Sequence, residues 1–162
     1  MDHLWTPWRY QYVTKAREEK ECIFCAAAAD REHDRDRLVV HRGERNLVIL
    51  NLYPYTTGHV MVVPYEHCAS LEQVADETLV ELIRLARITE IRLRALYRPD
   101  GLNLGLNIGH SAGAGIAGHL HLHALPRWTG DTNFMTVVGE TRVLPESLED
   151  TWEKLHRAFR EQ

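Results

Sequence analysis

Residues 118–127 read Gly-His-Leu-His-Leu-His-Ala-Leu-Pro-Arg, three histidines at alternate positions of an otherwise apolar run. In an extended strand successive side chains point to opposite faces. His119, His121 and His123 then share one face, each about 7 Å from the next, and Leu120, Leu122 and Ala124 take the other. One face suits a hydrophobic core and the other presents imidazoles. A solvated strand face ordinarily carries Lys, Glu and Thr, so three histidines in register point to chemistry. Two chemistries fit. Histidines can ligate zinc, which takes nitrogen and sulfur ligands tetrahedrally. Alternatively, a neutral imidazole attacks phosphorus and forms a covalent intermediate. A neighbouring protonated histidine would then offset charge on the non-bridging oxygens.

The flanks of this run supply further donors. Residues 101–109, GLNLGLNIG, alternate and predict a strand that carries Asn107. The loop 110–118, HSAGAGIAG, follows, and Gly113 and Gly115 would let backbone approach a phosphate closely. The loop matches neither the P-loop nor the dinucleotide fingerprint. Farther upstream, residues 38–41 and 46–52 predict a hairpin across RGER, and HVMVVP (59–64) predicts a third strand. Ser70-Leu71-Glu72-Gln73 has the form of a capping box. Apolar residues recur at helical spacing from Leu71 to Tyr97, before Pro99-Asp100-Gly101. The histidine strand is expected over 119–128. After an irregular stretch over 129–144, Leu148, Trp152, Leu155 and Phe159 predict a short amphipathic helix. The order is α+β: an antiparallel sheet of about five strands, one long helix and a C-terminal helix.

The 162 residues fit one domain, read here as residues 21–162 preceded by an aromatic extension over 1–20 with Trp5, Trp8, Tyr10 and Tyr12. A formal net charge of −4 argues against a nucleic-acid or acidic-membrane partner. No apolar run reaches the roughly 18–20 residues of a membrane span. Three cysteines, Cys22, Cys25 and Cys68, form no disulfide framework and point to a reducing, cytoplasmic setting. Histidine is the compositional outlier: of ten, seven lie between His41 and His123.

The run HLHLHAL (119–125) resembles the signature of the histidine triad (HIT) family of nucleotide hydrolases and transferases, His-φ-His-φ-His-φ-φ with φ apolar. NLYPYTTGHVMVVPYEH (51–67) is similar to the family's Asn…Pro…Gly-His-strand-Pro segment. LWTPWR, CIFC and PRWTGDTNF resemble more closely the bacterial branch related to diadenosine tetraphosphate phosphorylases and hydrolases. The resemblance implies a nucleotide substrate and attack on its α-phosphate. His121 would be the nucleophile, and His123 would contact the phosphate and assist the leaving group. His59 would fix the cluster, Asn51 would bind the ribose and Asn107 a phosphate. It also implies a homodimer or higher homo-oligomer. The family usually carries Gln, Ser or Thr just before the histidine strand, where this chain has Ala114, Gly115 and Ile116. A nucleoside phosphoramidate hydrolase, or a nucleotide-binding sensor or scaffold without turnover, is the alternative function.

Cys22-Ile23-Phe24-Cys25 has zinc-knuckle spacing but supplies only two ligands. In zinc-carrying relatives a histidine after the Gly-His strand and the first triad histidine complete the set. Those positions are His67 and His119 here, which implies structural zinc and leaves His121 and His123 free for chemistry. A catalytic metal held by all three strand histidines is the competing reading. Trp128, at the end of the histidine strand, is the aromatic expected to meet the base. Arg127, Arg9 and Lys15 are candidates for distal phosphates. His3, His33, His41 and His156 look incidental.

Overall fold

In the computed structural model, which describes residues 21–132 and 145–161, the β-branched runs between 39 and 64 form three neighbouring strands. β1 (Val39–Arg42), β2 (Asn46–Leu50) and β3 (Val60–Pro64) pair antiparallel in sequence order. β4 (Gly101–Leu106) and β5 (Leu122–Arg127) form a second antiparallel pair. β5 docks beside β3, giving one five-stranded sheet in the order β1-β2-β3-β5-β4. With α1 (Ile23–Ala29), the long α2 (Asp76–Tyr97) and α3 (Leu148–Arg160), this is the expected α+β architecture.

The sheet separates two environments. Val48, Leu50, Val60, Val62, Leu122 and Ala124 point to one face, against Leu82, Leu85 and Leu93 of α2 and Leu155 of α3. Leu47, Ile49, Met61 and Val63 point to the other face, where α1 contributes Phe24, Ala27 and partly buried Ala28. The register pairs Met61 with His123, so the histidines share this second, thinly covered face. The alternation read from 119–125 is therefore realised: leucine and alanine inward to the helices, imidazole outward. Only Leu122–Arg127 is paired strand, however, and His119 and His121 lie just before it. Pro126 pairs with Leu102 within the strand and does not end it.

Two helix boundaries differ from the sequence expectation. Ser70 opens only a single 3-10 turn over Leu71–Gln73 and makes no side-chain cap bond. Val74 is extended there and buries its side chain with Cys68 and Leu120, so the helix cannot run through it. α2 begins at Asp76, where Asp76 and Glu77 complement the positive end of the helix. The CIFCAAAA segment, unassigned in the sequence beyond its polar loop end, forms α1. Its alanines favour helix, and Arg42 of β1 secures its end. Arg42 Nη2 donates to the carbonyls of Ala27 (2.8 Å) and Asp30 (2.7 Å), and Nη1 to Ala28 (3.3 Å).

α3 is fastened to β1 with the help of His41 and His156, two histidines that looked incidental. Trp152 Nε1 donates to Val39 O (2.9 Å), and His156 Nδ1 donates to Val40 O (3.1 Å) while stacking on Trp152 at 4.5 Å. His41 stacks on Phe159 at 5.0 Å. Among the described residues no helix is long and apolar enough to cross a membrane.

Removing the Arg42 guanidinium leaves the carbonyls of Ala27 and Ala28 in α1, and of Asp30 just after it, without their donor. Arg42→Met should cost about 1–3 kcal/mol and speed amide exchange in α1 more than in α2. Uniform exchange across both helices would contradict this anchoring.

Candidate active site and metal cluster

Two clusters meet at the histidine run. In the first, Cys22 Sγ, Cys25 Sγ, His67 and His119 place their ligand atoms within 4.8 Å of one another. Cys22 Sγ lies 3.3 Å and Cys25 Sγ 3.6 Å from His119 Nδ1, and Cys25 Sγ lies 3.2 Å from His67 Nδ1. Tetrahedral zinc with Zn–S of about 2.3 Å and Zn–N of about 2.0–2.1 Å separates sulfur from nitrogen by about 3.6 Å. The spacing fits such an ion. So does the tautomer, because His119 Nε2–H donates to Pro64 O (2.9 Å) and turns the Nδ1 lone pair toward the thiols. Burial, then neighbouring Cys22, pushes the Cys25 thiol up to about 11, so metal binding there would displace a proton. These four residues form a cluster that could hold a metal ion.

In the second cluster, backbone groups assign the protons. His121 Nδ1–H donates to His119 O at 2.7 Å, which leaves Nε2 with its lone pair. Tyr55 N–H donates to His59 Nδ1 at 3.1 Å, so the neutral His59 ring carries its proton on Nε2. That proton is donated to His123 Nδ1, 2.9 Å away, and His123 is left with Nε2–H. Adjacent rings thus present one unprotonated and one protonated nitrogen, with centroids 4.9 Å apart. Burial lowers the affinity of His121 for a proton. Burial, then the neighbouring His121, pushes His123 down to about 4. Both rings are neutral near pH 7. This pair can offer a nucleophile and a hydrogen-bond donor to one centre. The three strand histidines do not converge on a single metal: His119 faces the cysteines, and the Nδ1 atoms of His121 and His123 are occupied by other partners.

The remaining candidates surround this pair unevenly. Asn51 is buried; its side-chain oxygen accepts from Tyr53 N–H (2.9 Å), and its amide nitrogen lies 3.4 Å from His59 Nε2. Asn107 lies one residue beyond the end of β4, where the β4–β5 register continues toward His121, and not on the strand itself. Gly109 and Gly113 bracket a 3-10 turn over His110–Ala112 at φ of 81° and 89°, in the region that favours glycine. Gly115 follows, half-buried beside buried Ala114. Trp128 is half-buried just past β5, with its N–H donating to Asp131 Oδ2 at 3.2 Å. Arg127 is engaged by both oxygens of Asp131 and by Asn103, and that pairing accounts for it without a phosphate. Trp5, Trp8, Arg9, Lys15 and His3 lie outside the described residues. Sequence reasoning missed Tyr55, whose N–H sets the His59 tautomer, and Pro64, whose carbonyl sets that of His119. Backbone donors and acceptors leave no side-chain signature.

A family model described as HIT domain matches residues 32–130. The chain belongs to the HIT domain family. It is 40% identical over 157 residues to an AP-4-A phosphorylase of Mycobacterium tuberculosis, covering 93% of this chain and 80% of that relative. A Zn-bound histidine triad family protein from Mycobacterium smegmatis superposes with a TM-score of 0.69 at 27% identity, over 87% of this chain and 94% of that one. A histidine triad nucleotide-binding protein from Sulfolobus tokodaii gives 0.65 at 30% identity, over 86% and 90%. This HIT domain protein is an enzyme of the family's nucleotidyl transferase/hydrolase type.

Burial of the two rings has a sign that stability measurements can read. His121 and His123 take up a proton less readily folded than unfolded. Their contribution is complete above the ordinary imidazole value of about 6.5 and is lost as pH falls toward the folded values. Chemical denaturation at about pH 7.5 and about pH 5 should show lower stability in acid. His123→Gln should flatten that slope, and an unchanged slope would contradict the burial account.

Proposed function

We propose that this HIT enzyme cleaves a dinucleoside polyphosphate of the diadenosine tetraphosphate kind at an α-phosphate, through a nucleotidyl-histidine intermediate. The observation that carries the reading is the bond from His121 Nδ1–H to His119 O, which leaves Nε2 free to attack. His121 Nε2 bonds to the α-phosphorus as the bond to the bridging oxygen breaks. His123 Nε2–H donates to the phosphate and the departing oxygen, and its orientation is set by His59. An acceptor then takes the nucleotidyl group and restores His121. Inorganic phosphate as acceptor yields ADP, water yields AMP, and ATP leaves in the first step with either. The M. tuberculosis phosphorylase favours phosphate for this chain. Asn51 is assigned to the ribose, Asn107 with the backbone of Gly113 and Gly115 to phosphate, and Trp128 to the base.

The same reading places structural zinc in the Cys22, Cys25, His67 and His119 cluster, supported by its spacing and by the zinc-bound relative. It keeps one HIT domain over 21–162, the aromatic extension over 1–20, and a reducing, cytoplasmic setting for the free thiols. A homodimer is supported by exposed apolar surface: among the described residues β4 is an edge strand with Leu104 48% exposed, and Ile83 of α2 is 61% exposed.

Incubation with diadenosine tetraphosphate, with and without phosphate, tests the reaction. Phosphate-dependent ADP plus ATP is expected, and AMP plus ATP regardless of phosphate would make water the acceptor. His121→Ala should lower turnover at least about 10³-fold while the protein stays folded. Turnover retained in that variant would refute the assignment. Elemental analysis of protein purified without chelator should find about one zinc per chain, and none would refute the metal assignment.

A further inference from the structure

The two clusters are joined by a residue that neither role has absorbed. Phe24 sits between Cys22 and Cys25 on the first turn of α1 and is 1% exposed. Its ring meets His119 edge-on at 5.3 Å between centroids, with an interplanar angle of 71°. The same ring lies 5.2 Å from that of His121, tilted at 46°. It belongs to one buried apolar cluster with Ala27, Val39, Ile49 and Met61. One aromatic side chain thus touches a member of the metal cluster and the imidazole with the free nitrogen.

The bond to His119 O fixes His121 at a single atom. The ring is attached at Cγ and held at Nδ1, and tilting about the line through these two atoms still swings Nε2 away from its target. A second, extended contact is needed to fix the plane of the ring. His123 supplies one such contact, at 4.9 Å and 75°, and Phe24 a second, at 5.2 Å and 46°. In-line attack tolerates little error: a misplacement of about 1 Å can cost about 100-fold in rate. Phe24 is itself held by its neighbours in sequence. Cys22 Sγ and Cys25 Sγ lie 3.3 and 3.6 Å from His119 Nδ1, so an ion gathering these atoms would lock the turn that carries the ring.

We propose that Phe24 is a positioning residue for His121: lodged inside the Cys-x-x-Cys knuckle, its ring braces the imidazole, so the metal cluster orients the nucleophile and does not serve the fold alone. This rests on the proposed role of His121. It makes the knuckle part of the catalytic apparatus through packing.

The test compares Phe24→Leu with Val39→Ala, a truncation in the same apolar cluster. Both should lower the melting temperature and both should retain the metal. Phe24→Leu should lower kcat on diadenosine tetraphosphate about ten-fold or more with KM within about two-fold, because orientation and not affinity is lost. Val39→Ala should leave both within about two-fold. Side-chain nitrogen NMR supplies a readout independent of turnover. Wild type and Val39→Ala should show His121 in one tautomer with Nδ1 protonated, and Phe24→Leu should show exchange between ring states. Phe24→Met keeps the bulk if the leucine variant does not fold. Equal kcat and equal His121 resonances in the Phe24 and Val39 variants would overturn the inference. A wild type without turnover would refute the proposed reaction instead, and the resonances would still decide whether Phe24 braces the ring.

Discussion

The hydrogen bond from His121 Nδ1–H to the carbonyl oxygen of His119, 2.7 Å long, is the contact on which the site depends. It decides which nitrogen of a buried ring holds a lone pair. Without it the two tautomers of a neutral imidazole would compete, and one of them presents a proton on Nε2 where a nucleophile is required. The carbonyl belongs to a residue whose own ring is fixed twice, by Pro64 O at Nε2 and by the thiols at Nδ1. The bond is therefore anchored on the knuckle and on β3 together. His123 is set by the opposite logic. Its Nδ1 accepts from His59, and that chain of bonds ends at the backbone N–H of Tyr55.

The layering of the fold makes this arrangement possible. One face of the sheet carries α2 and α3 and the larger of its two apolar clusters. Among the described residues the other face is covered by the short α1 with Leu38, Tyr65 and Ile116, and it carries the imidazoles next to Phe24. A second thick helical layer there would bury the histidines without access. The short α1 is too small to be stable alone. The guanidinium of Arg42 and the apolar contacts of Phe24 and Ala27 hold it against β1 and β2.

The alternation His119–Leu120–His121–Leu122–His123 was legible because a strand has a period of two, and its apolar half had to face a core. The third strand and the long helix were legible for the same kind of reason. The start of α2 was not. Ser70 and Gln73 have the local form of a cap, but burial of Val74 beside Leu120 is a tertiary event that overrides it. α1 was not read because its end is capped by Arg42, twelve residues or more away in sequence. Asn107, expected inside a strand over 101–109, falls just past the observed one because pairing of β4 stops at Leu106. Proton positions were beyond the sequence, since Pro64, His119 and Tyr55 act through backbone atoms. The cysteine pair was visible, but its assignment with His67 and His119 came from family resemblance and not from spacing.

The claim that His121 Nε2 forms the bond to phosphorus is tested most directly by trapping that bond. Protein mixed with labelled diadenosine tetraphosphate, quenched in base within the first turnover, can be digested and mapped by mass spectrometry. The account predicts a nucleotidyl group on the peptide holding His121, attached through Nε2. Label on His123 or on no histidine, in protein that turns over, would contradict it.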